Sequence, residues 1–140
     1  MARPIPRMRR TAGDLAPTVA MAKQEFAIET FLVWHAIVGY WGGVDGEALP
    51  GYGVRDVPRR YGQGILSHSP SLTDWWGHLA GVVPVEGVGR FYADYHRHLR
   101  AQGVDGVKVD NQAMIEGVSD GSGGRVRLNR AYRDALEGLS

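Results

Sequence analysis

The sequence predicts an α/β fold built on a parallel sheet, and three observations lead to this class. Continuous apolar runs with β-branched and aromatic residues alternate with segments whose apolar residues recur at helical spacing. Strands that alternate with helices form βαβ units, in which the strands run parallel and the crossovers are right-handed. The length of 140 residues, with 44% hydrophobic and 22% charged residues, is typical of one globular core.

The first half of the chain predicts a helix, a strand and a long connection. A helix begins near Asp14, which can cap its first turn, and its apolar stripe contains Leu15, Val19, Ala22 and Phe26. Residues 30–38, TFLVWHAIV, then suit a parallel strand covered on both faces. Residues 39–87 are rich in glycine and proline, and a connection of this length is usually functional or disordered. Its aromatic residues argue against disorder: Trp41, Tyr52, Tyr61, Trp75 and Trp76.

The second half predicts a helix, a strand and a final helix. Residues 88–101 are amphipathic, and Gly103 ends this helix. A strand over residues 104–109 and a short helical piece over 112–118 follow, and the last helix carries an apolar stripe of Leu128, Tyr132, Ala135, Leu136 and Leu139. Two parallel strands do not make a stable sheet alone. Either the long connection contains further strands, or the chain is a piece of a larger α/β domain.

Lys108 and Asp110 interrupt the valine strand GVDGVKVDNQ, residues 103–112. Because side chains alternate along a strand, these two share one face, and Val107 and Val109 share the other. In a β/α barrel the first face is the lumen, and Asp110 would lie at the C-terminal mouth. Alternatively, Asp110 caps the next helix and Lys108 extends from an edge strand to solvent. The residues alone leave both explanations open.

Composition excludes several classes of protein. A net charge of +1 gives no field for nucleic acid or acidic membranes, and no apolar run approaches a membrane span. Zero cysteines exclude disulfides and thiolate metal sites, and neither a zinc helix motif nor a phosphate loop is present. We expect a cytoplasmic protein that needs no cofactor. The basic start, MARPIPRMRR, has no apolar stretch of a signal peptide, and we interpret residues 1–13 as a disordered or misassigned leader.

Four blocks resemble the group of raffinose synthases, seed imbibition proteins and alkaline α-galactosidases in glycoside hydrolase family 36. They are VWHAIVGYWGGV (33–44), SHSPSLTDWWG (67–77), GVDGVKVDNQ (103–112) and GGRVRLNRAYRDALE (123–137). The resemblance implies a (β/α)8 TIM barrel that acts on α-galactosides with retention of configuration. A whole barrel takes roughly 250 residues. We therefore expect residues 14–140 to be a partial barrel domain, approximately its third and fourth βα units.

The same resemblance implies roles for individual residues. Asp110, in the KVD triplet, would be the nucleophile, and Lys108 would bind galactose hydroxyls and keep Asp110 ionised. Three residues would line the sugar site: Trp34, His35 and Trp41. Retaining chemistry needs a second carboxyl group, and Asp120 and Asp134 are poorly placed for it. We expect a fragment that is inactive alone, with a noncatalytic sugar-binding or interaction module as the alternative. The residues do not distinguish hydrolysis from transfer to a second sugar, and they do not indicate the oligomeric state.

Overall fold

The computed structural model of the chain describes residues 6–9, 13–69 and 78–138. Its elements are α1 (Ala16–Glu25), β1 (Leu32–Ala36), β2 (Arg55–Pro58), α2 (Gln63–His68), β3 (Leu79–Val82), α3 (Val88–Ala101), β4 (Gly106–Asp110), α4 (Met114–Gly117) and α5 (Arg125–Leu136). Trp75 and Trp76 of the predicted connection, most of the block at 67–77, and Leu139 of the last predicted helix lie outside the described residues.

The two strands predicted from the sequence pair with each other in parallel. In β1 and β4, Leu32 lies opposite Gly106 and Ala36 lies opposite Asp110. At the start of the pair, the Asp105 carboxylate accepts the Phe31 N–H at 2.8 Å and contacts the Lys23 ammonium at 2.6 Å. The loop before β4 is therefore tied both to the approach to β1 and to helix α1.

The long connection contains a second, antiparallel ribbon formed by β2 and β3. Hidden strands were one of the two options for this connection, but the sequence does not reveal where they lie. RDVP buries a single residue, and LAGV has alanine and glycine in place of β-branched residues. The ribbon does not extend the parallel pair, since each sheet in the described part of the chain is two-stranded. The structure thus supports a mixed α/β fold with short sheets, and the barrel stays a prediction.

The ribbon is attached to the segment after β1 by a close approach of two backbones. Val44 N–H donates to the Gly81 carbonyl at 2.8 Å, and Gly81 N–H donates to the Gly42 carbonyl at 3.0 Å. A Cβ at Gly43 would lie 2.1 Å from the Gly81 oxygen, and one at Gly81 would lie 1.8 Å from the Val44 oxygen. Only glycine permits this contact at both positions.

Helices α3 and α5 cover the main core. The predicted bounds of α3 coincide with the observed ones, and Val88, Phe91, Tyr92 and Leu99 are buried as its period predicts. Tyr132 of α5 packs edge-on against Tyr92, with ring centroids 6.1 Å apart, and its hydroxyl donates to the Val83 carbonyl at 2.8 Å. The α5 stripe is confirmed at Leu128, Tyr132 and Ala135, which are buried.

Helix α1 packs through a smaller cluster of Val19, Leu99 and Val104. Asp14 accepts the Ala16 N–H at 3.1 Å, and the Gln102 side chain also receives this N–H, at 3.0 Å. The helix ends at Glu25, so Phe26 is not on its buried stripe and is 68% exposed. The predicted stripe was therefore one turn too long.

Residues 6–9 of the basic start run beside residues 42–45. Met8 forms a parallel bridge with Val44, and its side chain packs against the main core. Arg7 pairs with Asp56 at 2.7 Å, and Arg9 pairs with Asp45 at 2.9 Å. These four residues therefore bind backbone and charged groups of the fold. The interpretation of residues 1–13 as a disordered or misassigned leader stays a prediction. Helices long and apolar enough to span a membrane are not found among the described residues.

Candidate functional site

The β1–β4 pair presents one covered face and one open face. Val33, His35, Val107 and Val109 share the face that packs against the cores. The open face contains Trp34 opposite Lys108 and Ala36 opposite Asp110. Lys108 is exposed, while Trp34 and Asp110 are partly buried. The predicted alternation, with Lys108 and Asp110 on the same side, is therefore confirmed.

Both carboxylate oxygens of Asp110 accept a hydrogen bond. The Trp34 indole N–H donates to Oδ2 at 2.9 Å, and the Asn111 backbone N–H donates to Oδ1 at 2.7 Å. The Trp34 bond first, then the Asn111 bond and the Lys108 charge, hold the pKa of Asp110 below its ordinary value. Asp110 is therefore an anion at neutral pH, fixed at the C-terminal end of β4.

Helix capping does not explain Asp110. The residue at the cap position of α4 is Ala113, without a side-chain hydrogen bond to the helix. Between Asp110 and α4, Asn111 adopts a left-handed conformation with φ 55°, and its buried amide group donates to the Met114 sulfur at 3.3 Å. The carboxylate therefore binds the Trp34 indole and the Asn111 N–H, and not the first turn of α4.

An aromatic wall stands beside this carboxylate. The Trp34 ring lies 5.4 Å from the Trp41 ring and 5.6 Å from the Tyr40 ring, which meets it edge-on. The Arg59 guanidinium donates to the Trp41 backbone carbonyl and so holds the segment that carries the wall. Sequence reasoning found Trp34 and Trp41 but missed Tyr40, for which the run GYWGG offered the only signal.

His35 is not part of the open face. It is 2% exposed and packs under helix α3, with ring centroids 5.7 Å from Tyr92 and 5.4 Å from Tyr95. The prediction that Trp34 and His35 line one site needs this correction, because successive residues of a strand point to opposite faces. The other four predicted site residues, Trp34, Trp41, Lys108 and Asp110, lie together.

Three other carboxylates, those of Asp105, Asp120 and Asp134, lie outside this cluster. Asp120 pairs with Arg60 at 3.5 Å, and Asp134 lies on α5 among the residues that line two arginine-rich surface grooves. Asp105 precedes β4, so about five residues of strand, roughly 16 Å, separate it from Asp110. Within the described ranges, no group of three or more histidine and acidic side chains could hold a metal ion.

Comparison with known proteins identifies the family. The sequence profile described as "Raffinose synthase or seed imbibition protein Sip1" matches residues 6–139. The chain belongs to the raffinose synthase and seed imbibition protein family. This family match begins inside the basic start, so part of the expected leader is matched along with the fold.

Similar proteins include plant members of the raffinose synthase family. A probable galactinol–sucrose galactosyltransferase 6 of Arabidopsis thaliana is 38% identical over 122 residues, which are 85% of this chain and 16% of that protein. A galactinol–sucrose galactosyltransferase of Pisum sativum is 35% identical over 81% of this chain and 15% of its own length. A stachyose synthase of Pisum sativum is 31% identical over 92% of this chain. The chain thus spans about a sixth of the length of the curated relatives that it matches.

Proposed function

We propose that the open face of β1–β4 is part of the α-galactoside site of a retaining galactosyl-transfer enzyme. The observation that carries this proposal is the Asp110 carboxylate, ionised and held by the Trp34 indole at the end of β4. A nucleophile must be anionic and fixed in direction before substrate arrives. The names of the similar proteins, which are galactosyltransferases, agree with a galactosyl donor as substrate.

In the proposed reaction the Asp110 carboxylate attacks the anomeric carbon of an α-galactoside. The bond to the leaving oxygen breaks as a covalent galactosyl–Asp110 ester forms, and a second carboxyl group protonates that oxygen. The same group, then a carboxylate, removes a proton from the acceptor, whose oxygen attacks the anomeric carbon. The bond from that carbon to Asp110 breaks, and the α configuration is restored. A sugar acceptor gives transfer, and water gives hydrolysis. Lys108 would bind galactose hydroxyls, and Trp34 and Trp41 would contact the apolar side of the sugar ring.

The second carboxyl group must lie about 5 to 5.5 Å from the nucleophile in a retaining enzyme. None of the alternatives considered above, Asp105, Asp120 or Asp134, is placed for this role. We propose that β1 and β4 are neighbouring strands of a barrel, approximately its third and fourth βα units, and that another part of such a barrel supplies the acid/base. We therefore expect the 140 residues by themselves to bind galactosides weakly and not to turn them over.

A hybrid enzyme tests the nucleophile. This sequence would replace the matching segment of the Pisum sativum galactinol–sucrose galactosyltransferase, and transfer of galactose to sucrose would be measured. We expect the hybrid to be active and Asp110→Asn to lower its turnover by about a thousandfold or more, because the covalent step is lost. A 2-fluorogalactosyl fluoride, whose leaving group needs no protonation, should label the peptide that contains Asp110, as read by mass spectrometry.

Asp120→Asn is the matched control, because Asp120 is exposed and pairs only with Arg60 across 3.5 Å in the described structure. It should leave both turnover and labelling unchanged. Near-normal transfer by the Asp110→Asn hybrid, or a label on another residue, would rule out the assignment of the nucleophile.

A noncatalytic sugar-binding module is the second candidate. The aromatic wall of Trp34, Tyr40 and Trp41 beside one carboxylate favours it, because such a surface binds a sugar without a second carboxyl group. The two candidates separate in the hybrid: binding alone predicts that Asp110→Asn keeps full transfer activity.

A further inference from the structure

Two histidines meet in the core directly beneath β1. His35 of β1 and His96 of α3 have ring centroids 6.2 Å apart, and both rings lie against those of Tyr92 and Tyr95. Their Nε2 atoms are both buried and have no hydrogen-bond partner within the described structure. Neither histidine is used by the proposed reaction.

The hydrogen bond of His35 fixes its tautomer. Its Nδ1 lies 2.8 Å from the Ala36 carbonyl oxygen, which can only accept, so Nδ1 carries the proton and Nε2 has the lone pair. A second proton would place a charge and an unpaired N–H among aromatic rings, and a buried charge without a partner is strongly unfavourable. The packing is therefore compatible with the neutral ring.

The groups that face the pair oppose protonation. Burial, and then the neighbouring His96, lower the pKa of His35, although its bond to the Ala36 carbonyl acts in the other direction. Burial, and then the Arg100 charge, lower the pKa of His96. From α3 the pair meets the Tyr92 and Tyr95 rings, and β4 contributes the apolar Val109 opposite His35. No carboxylate of the described residues contributes to either pKa.

The pair is joined to Asp110 through the end of β1. Ala36, whose carbonyl His35 binds, lies opposite Asp110 in the sheet, and the next residue, Ile37, donates its N–H to the Asp110 carbonyl at 2.8 Å. The Tyr92 hydroxyl, from the same aromatic cluster, donates to the Ile37 carbonyl. Trp34, which binds the Asp110 carboxylate, immediately precedes His35. A change in the charge of His35 therefore acts on the backbone that places both the Trp34 indole and Asp110.

We propose that His35 is a positioning residue for the Trp34–Asp110 pair, and that protonation of His35 and His96 together releases that pair as the pH falls. This role rests on the proposed function, because a released Asp110 affects the reaction only if Asp110 is the nucleophile. The experiment that tests the role measures the structure and not the enzyme activity. The pKa of each histidine is lowered by folding, so the stability that its neutral form contributes is present above pH 6.5. It is lost as the pH falls through the folded pKa.

The experiment follows the Trp34 indole N–H by NMR in the 140-residue chain as the pH is lowered from neutral, with Trp34→Phe to assign the resonance. We expect the resonance to leave its folded position at a pH between the folded pKa of the histidines and 6.5. In His35→Asn the amide replaces the Nδ1–H donor and cannot titrate. Its midpoint should fall by about one pH unit or more, because one of the two titrating groups is gone. In His35→Phe, which lacks the donor, the folded resonance should be lost even at neutral pH.

The results that would overturn this inference differ from the result that would remove the proposed function. Equal midpoints in the native chain and His35→Asn would overturn the inference, as would a native chain without a folded indole resonance, because the pair packs within these residues. If His35→Phe unfolds entirely, as judged by circular dichroism, the comparison with His35→Asn still decides the question. An active Asp110→Asn hybrid would instead remove the proposed function and leave these midpoints unchanged.

Discussion

At the scale of single residues, the ionisation of Asp110 depends chiefly on one indole. The Trp34 N–H contributes most to the low pKa of Asp110, ahead of the Asn111 N–H and the Lys108 charge. Because folding lowers this pKa, the ionised carboxylate contributes stability that is present above its ordinary value of 3.8 and is lost as the pH falls through the folded pKa. The tryptophan therefore does more than provide an apolar surface.

Replacing Trp34 with phenylalanine should raise the pKa of Asp110 toward its ordinary value, because the ring remains and the N–H donor is removed. The Asn111 bond and the Lys108 charge still act, so the rise should be incomplete. A titration of side-chain carboxyl resonances by NMR measures this directly. Asp94 is an internal control, because its pKa is lowered by hydrogen bonds from Arg97 and Tyr52 and not by Trp34. If the pKa of Asp110 in Trp34→Phe were as unchanged as that of Asp94, the role of the indole would be contradicted.

The faces of individual side chains were predicted correctly where strand alternation was used, and incorrectly where it was not. Alternation placed Lys108 and Asp110 together, and the structure agrees. The same rule places Trp34 and His35 on opposite faces. The family resemblance nevertheless implied that both line the sugar site, and the prediction followed the resemblance. The Trp34 hydrogen bond to Asp110 joins residues 76 positions apart, and no local pattern contains that information.

At the scale of elements, the periodic segments were predictable and the ribbon was not. Helix α3 has apolar residues at regular spacing over its 14 residues, so its bounds follow from the pattern. Strands β2 and β3 have four residues each, and their pairing places Arg55 opposite Val82. Strand β3 is held by backbone hydrogen bonds between Gly81 and both Gly42 and Val44, and β2 is held by its pairing with β3. The composition of such short segments does not reveal either contact.

Helix α5 offers a direct test of its predicted stripe. Leu128 is fully buried at 0% exposure, whereas Val126, two positions earlier on the same helix, is 76% exposed. Leu128→Ala should lower the free energy of unfolding by about 2 to 5 kcal/mol, because it leaves a cavity in the main core. Val126→Ala, the matched control, should change it by about 0.5 kcal/mol or less. Urea unfolding measures both, and similar losses in the two variants would show that α5 does not pack as described.

At the scale of the whole molecule, large apolar side chains are exposed at the start of β1 and in the residues before it. Leu32, on the open face, is 57% exposed, and nearby in sequence Phe26 is 68% and Ile28 is 40% exposed. In the described chain β1 and β4 form a two-stranded sheet, and an isolated bridge joins Ala36 to Gly39. Elsewhere the outer edges of the two strands carry unpaired N–H and C=O groups. An unpaired edge beside exposed apolar residues is typical of a surface that other protein segments cover. The proposed barrel would supply those segments as neighbouring strands.

The 140-residue chain should therefore associate with itself as its concentration rises. The expected cause is burial of Phe26 and Leu32, which are 68% and 57% exposed in the single chain. The double variant Phe26→Ser and Leu32→Lys should shift sedimentation velocity toward the monomer, since lysine on an edge strand opposes pairing. Val126→Ser is the control, because Val126 is 76% exposed but lies on α5. A native chain that stays monomeric at every concentration, or a Val126→Ser chain that loses association as fully as the double variant, would show that this edge is not a pairing surface.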